Sequence, residues 1–485
     1  MTLEIRRLSL FPNTFKIAII GVVMVLLAAA SGCGGGSAAG MAGTTPTQTP
    51  TATTAVQVNM GDSPADWMLA FSMNISSMTL TGSNGNATVV STATPLEMMH
   101  LMGAMQPLAM VSAPQGSYTG ATVTIGSATV TYMNPTTKTI TQQTIPGPMT
   151  GSVTFSSPVS VGSTPMAMNF DLNLSSSVAQ GSGGSLTMTP VFEMTAGQEG
   201  SGNAADYADG GIGEMMGSIA SVSGSSFTMT SLESAGTFTF ATSSSTAFSG
   251  AASAMSAMSS GMLVLVDATL QSDGSLMATR VQSMIGSGGM MGIGMVTSAT
   301  STALTVVMQN GAGSGMMSSY LAEGATVNLS GSTTYEIDED GMDLSGLPFS
   351  PTFDANSVVA GQSIMPVSSG GMMSGSGGMG GGMMGGTSMA GTISASEMVL
   401  VPQGVTGTTS VPLSSGTTAN FVLTMPSDSA FTTLTGATSV TVYQLPSTIM
   451  EGGSTIASGT AMHAYGLLFY NGGQWKMAAM RIGAN

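Results

Sequence analysis

The chain has 485 residues, 23 of them acidic against seven basic, for a formal net charge of −16. Charged residues make up only 6% of it, against roughly a quarter in ordinary globular domains, while Gly (67) and Met (46) are heavily used. So few and so scattered cations exclude a nucleic-acid footprint, which needs clustered Lys and Arg to displace counterions from phosphates, and they disfavour an anionic lipid surface.

Residues 1–32 read as a targeting segment. Arg6, Arg7 and Lys16 precede the apolar run 17–30, whose 14 residues fall short of the ~20 a bilayer-spanning helix needs. The run ends in Ala30-Ser31-Gly32-Cys33, and Cys33 is the only cysteine. This resembles a bacterial lipobox with Ala30 in place of the usual Leu. It predicts cleavage before Cys33, lipidation of that thiol, and attachment to a membrane through the acyl chains. Gly34 is not the Asp that retains enteric lipoproteins at the inner membrane, so the expected place is the outer membrane, on its periplasmic or surface face. Without residues 1–32, four basic residues (Lys138, Arg280, Lys476, Arg481) face 22 acidic ones, a balance of −18. With Cys33 acylated, no disulfide forms within the chain, and stability must come from packing.

About 450 mature residues predict three or four domains. Residues 33–54 form a Gly/Thr/Pro coil without apolar period, a tether reaching roughly 25 Å on average. From Ala55 the period becomes two: Val56, Val58 and Met60, then Phe71, Met73 and Ile75, then a Ser-Asn-Gly-Asn turn at residues 83–86. Met166, Met168, Phe170, Leu172 and Leu174 place five apolar side chains on one strand face, with Ala167, Asn169, Asp171 and Asn173 on the other. Leu96 to Met110, rich in Leu and Met, predicts a short helix interrupted by Gly103 and Pro107. The expectation for 55–195 is an antiparallel β-sandwich with one helical excursion. Its runs Val58-Asn59-Met60-Gly61-Asp62-Ser63-Pro64-Ala65-Asp66-Trp67, Ala113-Pro114-Gln115-Gly116-Ser117-Tyr118 and Asn169-Phe170-Asp171-Leu172 resemble a domain family of bacterial lipoproteins, the domain of unknown function 4382. The resemblance implies location and fold, with no activity attached.

Residues 196–211 read as a Gly/Ala/Asp linker, and repeats follow. One unit, 212–284, opens at Gly217-Ser218-Ile219-Ala220 and closes with the hairpin of Met262–Leu270 and Leu276–Val281. A second, 285–402, opens at Gly294-Met295-Val296-Thr297 and is swollen by acidic and Met/Gly-rich insertions. A divergent third, 403–485, has Phe421-Val422-Leu423 at its opening and closes on the hairpin 465–482. Each unit suits a small closed β-barrel of about five strands. The first resembles the domain of unknown function 5666, compared with the oligonucleotide/oligosaccharide-binding (OB) fold. The predicted fold class is therefore mainly β, a sandwich with a short helix followed by about three OB-like barrels joined by Gly/Ser-rich linkers.

Glu336, Asp338 and Asp340 alternate ahead of Gly341, with Glu339 and Asp343 nearby. The spacing resembles the opening of a calcium loop, where alternate oxygens wrap a hard cation. Glu at position one and Leu347 at position twelve depart from that pattern, and a solvated acidic loop is the plainer alternative. Met372, Met373, Met379, Met383, Met384 and Met389 stand in a Gly/Ser tract; as exposed thioethers they would be soft ligands for Cu(I) or reversible oxidation targets, against plain compositional drift. Met98, Met99, His100, Met102 and Met105 form a second group, and His100 and His463 are the only imidazoles. Asp62 and Asp66 beside Trp67 read either as a glycosidase-like carboxylate pair with a sugar-stacking ring or as turn caps around Pro64. There is no GxSxG, HExxH, CxxC or GxxxxGK motif. No catalytic residue and no cofactor is assigned beyond candidate calcium and Cu(I). The expectation is a non-enzymatic, lipid-anchored envelope protein that binds a glycan or a protein partner or has a structural role. The alternatives are a Met-rich Cu(I) or calcium binder and, second, a cryptic glycan hydrolase.

Overall fold

The computed structural model describes residues 51–484 apart from 64, 102–104, 135–136, 138, 182–183, 199–209, 233, 235, 284–291, 310–323, 340–341, 369–391 and 452–454. It is mainly β throughout. The first module is a sandwich. One sheet runs Phe192–Gln198, Met166–Asn173, Thr53–Ser63, Met105–Pro114, and the other runs Ala87–Val90, Met68–Gly82, Gly116–Met133, Ile140–Val161, with Thr94–Glu97 also pairing with Met68–Gly82. Between the sheets Phe71, Ile75, Met78, Tyr118, Met168 and Phe170 are fully enclosed.

Two expectations for this module are corrected. Thr53–Ser63 lies parallel to Met166–Asn173, because the whole second sheet intervenes in sequence and acts as the crossover a parallel pair requires. The expected helix over 96–110 is one 3-10 turn, Met99–Leu101, followed by the strand Met105–Pro114. Pro107, which cannot donate into a helix, sits in that strand opposite Asn59 at a register shift. Among the described residues the only α-helical turn of the module is Leu174–Ser177, capped by the Asn173 side chain on Ser176 N–H. The face of Met166–Asn173 opposite its apolar residues is buried at Ala167 and Asn169 and partly buried at Asp171 and Asn173. Gln57, Asn59 and Asn169 are buried and joined in an amide ladder, Gln57 Nε2 to Asn59 Oδ1 at 2.9 Å and Asn59 Nδ2 to Asn169 Oδ1 at 2.7 Å.

Three five-stranded barrels follow. The first is built from Gly211–Ser223, Ser226–Ser231, Thr237–Ala241, Leu263–Leu270 and Leu276–Ser283. The second uses Gly294–Ala299, Ala303–Met308, Gly324–Asn328 and Ser363–Val367, with a fifth strand split into Thr392–Ser394 and Glu397–Leu400. The third uses Gln403–Thr409, Ala419–Thr424, Ser439–Met450, Ala461–Asn471 and Gln474–Ala484. Phe421 thus belongs to the second strand of its barrel rather than the opening one. In all three the neighbour order is 1-2-3-5-4-1, closed by a parallel pairing of third and fifth strands, the strand order of an OB-type barrel.

The repeat reaches single side chains. A buried threonine, after the third strand in the first two barrels and near its end in the third, donates its hydroxyl to an alanine carbonyl on the fifth strand or in its break: Thr246 to Ala278 at 2.7 Å, Thr333 to Ala395 at 2.9 Å, Thr448 to Ala479 at 2.6 Å. Each hydroxyl also accepts the N–H of the residue three before it, Ser243, Ser330 or Leu445. A left-handed glycine leads into each fourth strand, Gly261, Gly361 or Gly459, and its N–H meets a first-strand carbonyl.

The barrels are joined through apolar faces. Leu445, Leu467 and Phe469 of the third barrel pack into the core of the second. Met216 and Leu265 of the first meet Met365, Val399 and Val401 of the second. Leu69 and Ala70 of the sandwich meet Val307 and Ala430.

Candidate functional site

Where the sandwich meets the barrels there is a chamber of about 70 Å³, with walls from all four modules. The sandwich contributes Asp66, His100 and Gln106. Its Glu97 sets the geometry: Oε1 accepts the N–H groups of Phe71 (2.8 Å) and Met99 (3.2 Å), and Oε2 accepts His100 N–H (3.1 Å) and meets His100 Nδ1 at 2.9 Å. This buried carboxylate therefore winds the 3-10 turn and fixes the imidazole ring. Asp66 reaches the third barrel twice, accepting the Thr406 hydroxyl through Oδ1 and the Ala430 N–H through its main-chain carbonyl. Burial pushes the Asp66 carboxyl up, partly opposed by the Thr406 hydrogen bond. Gln106 is 8% exposed, and its Oε1 has no hydrogen-bond partner.

On the barrel side Glu214 lies in the left-handed region (φ 51°) at a bulge of the first strand, where its N–H donates to Asp267 Oδ1 at 2.7 Å. Arg280 organises this corner. Its Nε is 2.6 Å from Asp267 Oδ2, and its terminal nitrogens lie 3.4 Å from Asp338 Oδ1 of the second barrel and 3.9 Å from Glu214 Oε1. Tyr465 of the third barrel donates to Glu214 Oε2 at 3.4 Å, and the Arg481 guanidinium sits 4.8 Å from its ring centroid. Arg481 pairs in turn with Glu451, which meets His463 at 2.9 Å. Burial alone would raise the Glu451 carboxyl, but the His463 hydrogen bond and the Arg481 charge outweigh it and hold it below its ordinary value.

The carboxylates singled out in sequence separate. Glu336 and Glu339 are exposed and line an open groove of about 470 Å³ with Tyr335, Phe353 and Asp354, the two rings edge to face at 5.9 Å. Asp338 turns the other way, is 5% exposed, and faces Arg280. Asp343 caps the 3-10 turn Leu344–Gly346 through Ser345 N–H, which holds its carboxyl low. Glu397, on the neighbouring strand, is raised by burial and then by the charge of Glu336, with which it shares a hydrogen bond. Among the described residues no three His, Cys, Asp or Glu side chains gather to hold a metal. Asp340, the lipidation candidate Cys33 and the methionines 372–389 lie outside the described residues.

Asp62 does not take the turn-cap role offered for it. Trp67 is edge to face with Tyr132 at 5.4 Å. Asp62 is 2% exposed, and neither carboxylate oxygen has a partner, so it caps no turn. Burial pushes it well above the usual carboxylate range, and Asp171, Glu97 and Asp66 add to the push. Asp171 is itself raised by burial, against the hydrogen bond from Ser63 Oγ at 2.6 Å.

Sequence reasoning missed Gln106, Glu214, Arg280 and Tyr465 as chamber or junction residues. A signal existed for Arg280: it stands two positions after Ala278 in one repeat as Arg481 stands two after Ala479 in another, so two of the chain's seven basic residues occupy one repeat position. Among the described residues no helix is long and apolar enough to cross a membrane. No curated protein matches the chain. Residues 216–282 match a family described as a domain of unknown function (DUF5666), a span running from Met216 in the first strand of the first barrel to Gln282 in its fifth.

Proposed function

We propose that the chain is a lipid-anchored envelope protein, held through Cys33, that acts without catalysis as a rigid binding or structural platform, its sandwich being of the domain of unknown function 4382 type. The observation that carries the reading is the interlocking of four β-modules: Arg280 joins two barrels, and three apolar clusters each draw side chains from two or three modules. Such a body presents concave surfaces in fixed relation, and its excess of exposed carboxylate favours neutral glycans and proteins over polyanions. Palmitate labelling of the expressed protein tests the anchor, with label expected on the wild type and absent from Cys33→Ser. Glycan and envelope-protein binding tests the platform. Turnover of a glycan or peptide library by the purified chain would overturn the non-catalytic part.

One observation favours a second reading, a Cu(I) buffer. The strand ends flanking the Met-rich segments 284–291, 310–323 and 369–391 lie at one end of the second barrel, where Gly294 is in register with Met308 and Ile364, Val307 with Gly324, and Thr326 with Thr392. Deleting residues 371–389 should then lower Cu(I) stoichiometry in a competitive titration; an unchanged titration rules that reading out.

A further inference from the structure

The junction chamber has an acceptor-rich wall and an apolar one. The Gln106 amide brings a buried carbonyl oxygen with no partner, an arrangement that costs stability unless something fills it. Asp66 commits one carboxylate oxygen to Thr406 and has the other to offer. Glu214 adds negative charge, and Met99 and Met425 supply thioether-bearing apolar surface that adapts to an alkyl chain. At roughly 10–15 Å³ per water, the chamber has room for about five non-hydrogen atoms.

We propose that this chamber binds the ammonium head of a short primary alkylamine, with the Gln106 amide oxygen and the Asp66 carboxylate as hydrogen-bond acceptors and the methionine wall against the stem. An ammonium carries three donors and no acceptor, the complement of these groups. An anion would meet Asp66 and Glu214, with Glu97 and Asp62 close behind, and a neutral alcohol would forgo the charge term. The Tyr465 ring edges the chamber with Arg481 already over it, so the carboxylates rather than cation–π contact hold the ligand. The inference concerns residues of the folded modules alone and does not depend on how the chain is anchored.

Binding carries a proton signature. Asp66 is raised by burial and by Asp428, and it shares the chamber with Glu214 and with His100, the imidazole held by Glu97. An ammonium favours its ionised form, so binding should release a proton and tighten as pH rises through the Asp66 titration.

The test is calorimetric titration of the purified full chain with butylammonium chloride, using potassium chloride and 1-butanol as controls, in two buffers of different ionisation enthalpy. Saturable one-to-one binding of butylammonium with proton release is expected, and none with either control. Gln106→Leu should weaken it about tenfold or more, Asp66→Asn should do so and abolish the buffer dependence, and Gln106→Glu, which keeps the acceptor and adds charge, should tighten it. Urea midpoints of each variant separate lost binding from lost folding. Absence of saturable binding in the wild type, equal binding of butanol, or indifference to all three substitutions would overturn the proposal.

Discussion

Asp62 gives the residue-scale case in which burial decides the charge state. Enclosed at the end of Thr53–Ser63, with Asp171, Glu97 and Asp66 around it and no partner for either oxygen, it holds its proton to a higher pH when folded than when unfolded. Over the interval between those two values the native state binds the extra proton, so raising pH destabilises it. The wild-type urea midpoint should therefore fall as pH rises above about 4, and Asp62→Asn, which cannot ionise, should fall less and be the more stable protein near neutrality. Parallel slopes for the two proteins would show that Asp62 holds its proton no more tightly folded than unfolded. The sequence put both aspartates in view through their closeness to Trp67, but it offered no sign that one would be sealed. That depends on a partner strand more than a hundred residues away.

At the scale of elements, the period-two runs made the strands legible, and the closing hairpins made the repeat legible. The covering of second faces was not, because alternation in one strand says nothing about what lies on its polar side. Asn59 and Asn169 are both buried and joined to each other, which the alternation alone does not reveal. The expected helix over 96–110 failed similarly, since helix-forming Leu and Met were overruled by Pro107 and by the strand partner at 53–63. The inward threonine is a device of the element itself. Thr333→Val should cost about 1–3 kcal/mol, because the buried Ala395 carbonyl loses its donor and the Ser330 N–H its acceptor. The left-handed glycines separate strain from clash. A Cβ on Gly261 or Gly459 meets nothing within 4 Å, so alanine there should cost only the conformational term, about 1 kcal/mol. A Cβ on Gly361 would come within 2.5 Å of Thr435 Cγ2 on the third barrel, and Gly361→Ala should cost distinctly more. Urea midpoints of the three alanine variants would rank them, and equal losses would mean that the contact yields freely.

At the scale of the molecule the question is how a chain with a formal net charge of −16 holds four modules together. Net charge of this size opposes compaction, and salt should relieve it. The apolar seams are indifferent to salt in that sense, so the charged junction is where assembly and electrostatics meet. Arg280 spends one guanidinium on Asp267 of its own barrel and Asp338 of the next, with its side chain 19% exposed and that of Asp338 4%. Removing the cation takes the charged partner from both carboxylates, although Asp267 still accepts the Glu214 N–H, whereas removing Asp338 leaves Arg280 still paired. Arg280→Met should therefore destabilise by about 2–3 kcal/mol, somewhat under the ~3–5 kcal/mol for breaking a fully buried pair because solvent screens part of it, and Asp338→Asn should cost less. If the contact couples the barrels, the double variant should lose less than the sum of the two, by about 0.5–3 kcal/mol, and Arg280→Met should broaden or split the unfolding transition as the first barrel uncouples from the second. Simple additivity with a single sharp transition would assign the cohesion of the barrels to Met216, Leu265, Met365 and Val399 instead, and leave Arg280 as a local neutraliser of Asp267.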